Sequence, residues 1–235
     1  MDRKTANFLR GILDNWLPPV LRESTIFDWL FKLWLGPKAR SNFKKLAFRM
    51  DDKEYAAAYQ SLGGRYETRE TDTTERQMEW VLNSIRGQRV LEIGPGKGAL
   101  TKRLVERGYQ VSTLDLFPGI YPPGDNSIKR YFGIAEKFQF PDKSFDTVVI
   151  AMVIEHVRNI TSATLELERI TRERVLIVTP EQRYYRVTFD YHLHFFYSLD
   201  HLASHIPRGK TEGAVIDGDL CLKWDVDEQP SRTNL

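Results

Sequence analysis

The clearest chemical signal in the chain is the stretch Val90-Leu91-Glu92-Ile93-Gly94-Pro95-Gly96-Lys97-Gly98-Ala99-Leu100-Thr101. Glycines at 94, 96 and 98 let the backbone turn sharply and let a ligand approach where a Cβ would stand in the way. The N–H groups that open a following helix can meet a carboxylate or a phosphate. Glu92 stands two residues before the first glycine, where its carboxylate can attract an ammonium group. A glycine-rich turn alone is unspecific. Gly94, Gly96 and Ala99 also satisfy a loose dinucleotide fingerprint.

Histidines form the second group of candidates. His156 follows an apolar run in Glu155-His156-Val157, and His192 and His194 lie in Tyr191-His192-Leu193-His194-Phe195-Phe196. An imidazole titrates near neutral pH and can serve as base for an oxygen nucleophile. All three are candidate catalytic residues, and each also has a structural reading, as packing or as a brace for a neighbouring helix. A metal set drawn from His192, His194, His201 and His205 lacks an acidic partner at a compelling spacing. Imidazoles alternating with Leu and Phe suit a packed interior, so no metal is expected. The single cysteine, Cys221, excludes an intrachain disulfide and a cysteine-based zinc site.

The elements that must position these residues alternate. Strands are expected at 89–93, 110–114, 128–132, 147–153 and 174–178, with helices at 73–86, 99–107, 161–172 and 198–205. A Pro- and Gly-rich loop occupies 117–125. Two short strands flank Asp217-Gly218, a two-residue hairpin turn. The apolar run of the fourth strand fits a strand covered on both faces. This order implies an α/β, Rossmann-like, doubly wound and mostly parallel sheet with a C-terminal antiparallel hairpin. Ligands of such sheets sit at the carboxyl ends of the strands, which is where the chemical residues fall. Residues 1–70 form an N-terminal helical extension, with helices expected around Phe8–Leu17 and from an N-cap at Ser24 to a stop at Gly36-Pro37. Residues 71–235 form the main domain.

From Arg89 to about Pro180 the sequence resembles the class I S-adenosylmethionine-dependent methyltransferases of the type 11 family. The resemblance rests on four motifs in order: the Glu-x-Gly-x-Gly-x-Gly turn, Asp115 ending the second strand, Ala135-Glu136 after the third, and Phe140-Pro141-Asp142-Lys143-Ser144-Phe145-Asp146 leading to Glu155-His156-Val157. It implies a seven-stranded sheet and S-adenosyl-L-methionine as cofactor. By this resemblance Glu92, Gly94, Pro95, Gly96 and Gly98 surround the methionine moiety. Asp115 and Leu116 serve the ribose, Ala135 and Glu136 the adenine, and Met152 closes the set after the fourth strand. Asp146 is expected to support its strand.

Methyl transfer needs alignment and exclusion of water more than a particular catalytic triad. The expected reaction is transfer to an oxygen or nitrogen of a small molecule, with a glycan or a lipid-linked intermediate as the working substrate class. The glycine motif also resembles the ribosomal RNA adenine dimethylases. Those carry an Asn-x-Pro-aromatic motif after the fourth strand, where this chain reads Ala151-Met152-Val153-Ile154. A non-catalytic cofactor-binding protein on the same fold is the other alternative.

The net charge of +2 hides an asymmetry: residues 1–50 carry ten Lys/Arg against four Asp/Glu, leaving the remainder at −4. A basic, Trp-rich apolar segment suits an anionic membrane interface. It equally suits a lid or a dimer contact. The mildly acidic body is ill suited to gripping nucleic acid. A cytoplasmic protein, peripheral on the inner membrane face if the first reading holds, is expected, and the sequence does not set its oligomeric state.

Overall fold

The computed structural model describes residues 11, 16, 18–22, 24–35, 43–60, 71–116, 127–184 and 191–226. Most of the helix expected near Phe8–Leu17, the Gly36-Pro37 stop and the 117–125 loop lie outside them.

Seven strands form one sheet: β1 (Arg89–Ile93), β2 (Gln110–Asp115), β3 (Lys129–Phe132), β4 (Phe145–Ala151), β5 (Thr171–Pro180), β6 (Lys210–Ile216) and β7 (Asp219–Asp225). Their order is β3-β2-β1-β4-β5-β7-β6. The first five run parallel, and β7 joins β5 and β6 antiparallel. The order reverses between β1 and β4, which opens a crevice above their carboxyl ends.

Helices cover both faces. On one side α5 (Glu75–Leu82) and α6 (Ala99–Glu106) pack Met78, Val81, Leu100 and Leu104 against Val90, Val111, Val149 and Leu176. On the other, α7 (Ile160–Ile170) and α8 (Leu199–Ala203) set Ala163, Leu167 and Leu202 against Leu91, Val148, Ile150 and Ile177. Successive residues of β4 and β5 therefore enter opposite cores, which is why their sequences read as unbroken apolar runs.

Boundaries moved where pairing overrides local composition. β4 starts two residues earlier than expected, because Phe145 pairs with Thr171 ahead of a bulge. It ends before Met152, whose φ of +56° breaks the strand. β5 begins directly after α7, its polar start Arg172-Glu173-Arg174 masking the pairing seen at Arg174↔Thr147. At the hairpin, Asp217 and Gly218 have φ of 53° and 83°, as a two-residue turn of this kind requires. The Thr74 N-cap of α5 donates from its hydroxyl to Asp217 (2.7 Å), tying that helix to the hairpin.

The extension contributes α1 (Pro19–Arg22), α2 (Thr25–Leu35), α3 (Phe43–Ala47) and α4 (Asp52–Gln60). Ser24 caps α2 by accepting from the Phe27 N–H at 3.1 Å. Phe43, Ala47 and Tyr55 of α3 and α4 form a small apolar cluster with Tyr191 and Leu193. Arg158, at the start of the segment leading into α7, reinforces this docking by donating to the Met50 carbonyl at 2.7 Å and pairing with Asp52.

Candidate active site

The glycine turn bends as its spacing predicts. Gly94, Gly96 and Gly98 all lie in the left-handed region, at φ of 67°, 57° and 80°. A Cβ on Gly94 would stand 2.2 Å from Cγ2 of Val153, so this position also needs the missing side chain for packing. Gly96 faces open space, with nothing within 4 Å of an added Cβ. Gly98 is the N-cap of α6 and offers no side chain to cap the amides of its first turn.

Glu92 lies one residue before the end of β1 and is buried. Its Oε2 accepts from the Thr101 hydroxyl at 2.5 Å. Burial pushes its carboxyl up to about 7; the Thr101 hydrogen bond opposes the shift, and the Asp115 carboxylate adds to it. Among the described residues, the charge acting on Glu92 is thus another negative one. Asp115 ends β2 half-buried, and its carbonyl accepts from Gly133 at 3.0 Å. Met152 sits after β4, its N–H donating to Val178 at 2.7 Å, and Ala135 is buried beyond β3. Glu136 accepts from the Arg158 N–H at 2.6 Å through its carboxylate, at the entry to α7. Asp146 supports its strand, as expected. At the opposite, amino end of the sheet it accepts from the Gln88 and Arg89 N–H groups and pairs with the Arg89 guanidinium at 2.6 Å.

The three candidate histidines separate. His156 and His192 meet, with ring centroids 4.8 Å apart. His156 Nδ1 lies 2.7 Å from the Tyr59 hydroxyl and 3.1 Å from the Tyr191 carbonyl. His192 is buried, its Nδ1 2.7 Å from Oε1 of Gln182. His194 instead stacks on Phe196 and lines a surface depression of about 510 Å³ with Glu136 and Arg158. Burial lowers the pKa of His194.

Five residues of this region went unrecognised as site residues in the sequence: Tyr55, Tyr59, Thr101, Thr179 and Gln182. Tyr55 donates to the His156 carbonyl, and Thr179 donates to Glu155 Oε2 at 3.0 Å. In space Glu155 comes together with His156 and His192, a grouping outside the set of His192, His194, His201 and His205 weighed from the sequence. The Glu155-His156 doublet after one strand and His192 after the next were the available signal.

With this geometry in place, relatives can be compared. Residues 91–179 match the family described as a methyltransferase domain. The chain carries a class I S-adenosylmethionine-dependent methyltransferase domain. It is 29% identical over 149 residues to a demethylmenaquinone methyltransferase of Tropheryma whipplei (strain Twist), covering 60% of this chain and 62% of that protein. A malonyl-[acyl-carrier protein] O-methyltransferase of Serratia marcescens is 28% identical over 50% of this chain and 48% of its own length. The chain thus spans less than two thirds of the curated relatives it matches. In fold it is similar to a SAM dependent methyltransferase from Aquifex aeolicus, with a TM-score of 0.55, 14% identity, and coverage of 70% of this chain and 98% of that one.

The donor set fits S-adenosylmethionine. A buried carboxylate whose charged neighbour among the described residues is another carboxylate calls for an ammonium, an uncapped helix start calls for a carboxylate, and Gly96 has open space where a Cβ would stand.

Proposed function

We propose that this chain transfers a methyl group from S-adenosylmethionine to an oxygen or nitrogen of a small molecule, and that the acceptor is a glycan or lipid-linked intermediate met at a membrane surface. The observation that carries the first half is Glu92: a buried carboxyl held near neutrality by burial, beside a second carboxylate, above an open glycine turn. Burying a carboxylate against like charge is costly unless a cation arrives.

Bound there, S-adenosylmethionine supplies a methyl group on a cationic sulfur, open to in-line displacement. Glu92 would hold the ammonium, the first-turn amides of α6 the carboxylate, and Asp115 the ribose hydroxyls. Val153 fills the space where a Gly94 Cβ would stand. His156 is anchored by the Tyr59 hydroxyl and the Tyr191 carbonyl, and its Nε2 faces Oε1 of Glu155 at 3.9 Å. An anchored ring of this kind can be held against an acceptor hydroxyl. Tyr59 and Tyr55 come from α4, so the extension is part of the acceptor side.

The membrane half rests on α2. Ile26, Trp29, Leu30 and Leu33 fall at helical spacing on one stripe, yet they are 73%, 63%, 50% and 67% exposed. That inverts the usual arrangement, in which such a stripe is buried. With the +6 balance of residues 1–50, it fits an anionic lipid surface. No helix among the described residues is long and apolar enough to cross a membrane.

Calorimetric titration of S-adenosylmethionine into the full chain and into Asp115→Ala tests the cofactor half. Saturable binding that weakens by roughly 10- to 100-fold in the variant is expected, from the loss of charge-assisted hydrogen bonds. A folded protein that takes no cofactor would sink it. Sedimentation with anionic vesicles tests the other half: binding lost on deleting residues 1–50 supports it, and no binding by the full chain refutes it.

A further inference from the structure

Glu155, His156 and His192 each offer a ligand atom within 4.8 Å of those of the other two. The three come from two segments: the turn after β4 and the segment beyond β5. Glu155 is 2% exposed, His192 8%. Each is oriented by a neighbour. Thr179 donates to Oε2 of Glu155 at 3.0 Å, and Oε1 lies 3.9 Å from His156 Nε2.

Both rings meet oxygen atoms at Nδ1; for His156 the nearest is the Tyr59 hydroxyl at 2.7 Å, whose own hydrogen goes to the Tyr191 carbonyl at 3.1 Å. The Tyr191 carbonyl can only accept, and it lies 3.1 Å from His156 Nδ1. Gln182 presents Oε1 to His192 Nδ1 at 2.7 Å. Protonated Nδ1 atoms satisfy both, which places the lone pair of each neutral ring on Nε2. A histidine whose Nδ1–H is tied to a carbonyl or a carboxamide is the usual outer arrangement of a metal-ligating imidazole. Two such rings beside one buried carboxylate make the two-histidine, one-carboxylate set that divalent transition metals accept.

We infer that Glu155, His156 and His192 bind a divalent transition-metal ion of the Zn²⁺, Co²⁺ or Mn²⁺ class, which takes an oxygen of the acceptor as a further ligand. Metal–ligand bonds of about 2.0–2.2 Å require the three atoms to draw closer than they stand. His156 is half-buried, and Tyr59 of the extension meets its Nδ1 at 2.7 Å. A cation here would ease loss of an acceptor hydroxyl proton to solvent, as bound metals do for water. The acceptor role rests on the methyl-transfer reading above; the metal site does not.

The test uses the full chain, stripped with chelator, titrated with Co²⁺ while its visible absorption is followed, and with Zn²⁺ by calorimetry. One equivalent of saturable binding is expected. His192→Ala should weaken it by roughly 100-fold or more, and Gln182→Ala, which removes the partner of its Nδ1, by roughly 10- to 100-fold. His201→Ala, which stacks on Tyr197 outside the cluster, should change nothing. Near-UV circular dichroism checks each variant; if His192→Ala does not fold, Gln182→Ala carries the test. No saturable Co²⁺ band, or binding that survives His192→Ala and Gln182→Ala, overturns the inference. S-adenosylmethionine is titrated into the same samples. Metal uptake without cofactor binding would remove the methyl-transfer reading and leave the metal site standing, and the reverse result would do the opposite.

Discussion

The two ends of the central strands bury carboxylates in opposite ways. At the amino end Asp146 meets the Arg89 guanidinium and two backbone N–H groups, which hold its carboxyl down at about 2. Arg174 and Asp225 add a second pair there at 2.6 Å. At the carboxyl end Glu92 has a hydroxyl and a like charge for company and is pushed up to about 7. The sheet is the same and both groups are buried, so the difference lies in the partners. One end is satisfied by its own chain. The other is left electrostatically unbalanced, in the way a site waiting for a cationic ligand is.

The sharpest way to break the comparison is at the glycine turn. Gly94→Ala puts a side chain at a positive φ and against Val153. Strain and overpacking together should cost about 2–5 kcal/mol of stability, with cofactor binding lost. Denaturant unfolding reads the first and calorimetry the second. The double variant with Val153→Ala should recover part of the stability, because it removes the contact and leaves the strain. Equal stability of Gly94→Ala and the parent would show that the turn is not as tight as described.

Opposite pH slopes come next. Glu92 titrates higher in the folded than in the unfolded chain, so its contribution is fully present below about 4.5 and is lost as pH rises through about 7. That loss is about 3 kcal/mol in the ligand-free protein. Asp146 titrates lower when folded, so its contribution of about 2 kcal/mol is present above 3.8 and lost as pH falls through about 2. Melting curves from pH 4 to 8 should therefore fall for the parent and flatten for Glu92→Gln. A parent curve that stays level across this range would show that Glu92 is not buried unpaired. Below pH 4 both proteins should lose stability together, unless Asp146→Asn has already removed that step.

How much of this could be read from the sequence follows from what is local. The turn around Gly94 was legible because a backbone constraint needs particular residues at particular spacings. β4 and β5 were legible because two covered faces leave an apolar run. The start of β5 was hidden, since Arg172-Glu173-Arg174 reads as polar chain until β4 is known to lie beside it. The surroundings of His156 were hidden for the same reason. Tyr59 is 97 residues away in the chain and Tyr191 is 35. Glu155 and His192 were both visible as residues, but only the crossover from β4 through α7 to β5 makes them neighbours.

The smallest effect tests the cause assigned to Glu92 most directly. Thr101 is the first-turn residue of α6 whose hydroxyl reaches back to the strand. A donor to a carboxylate favours the ionised form, so this contact holds the Glu92 carboxyl lower than burial alone would. Thr101→Val keeps the shape and removes the donor. With the acid protonated in much of the ligand-free population at neutral pH, the fold should lose only about 1 kcal/mol or less. Cofactor binding needs the ionised form and should weaken by about 3- to 10-fold at pH 7, a hydrogen bond's worth. Raising the pH should restore it, because a higher carboxyl pKa is overcome once the solution passes it. Calorimetry at pH 6, 7 and 8 follows the midpoint, which should move upward in the variant. An affinity loss that persists unchanged at high pH would mean that Thr101 acts on the cofactor itself rather than through Glu92.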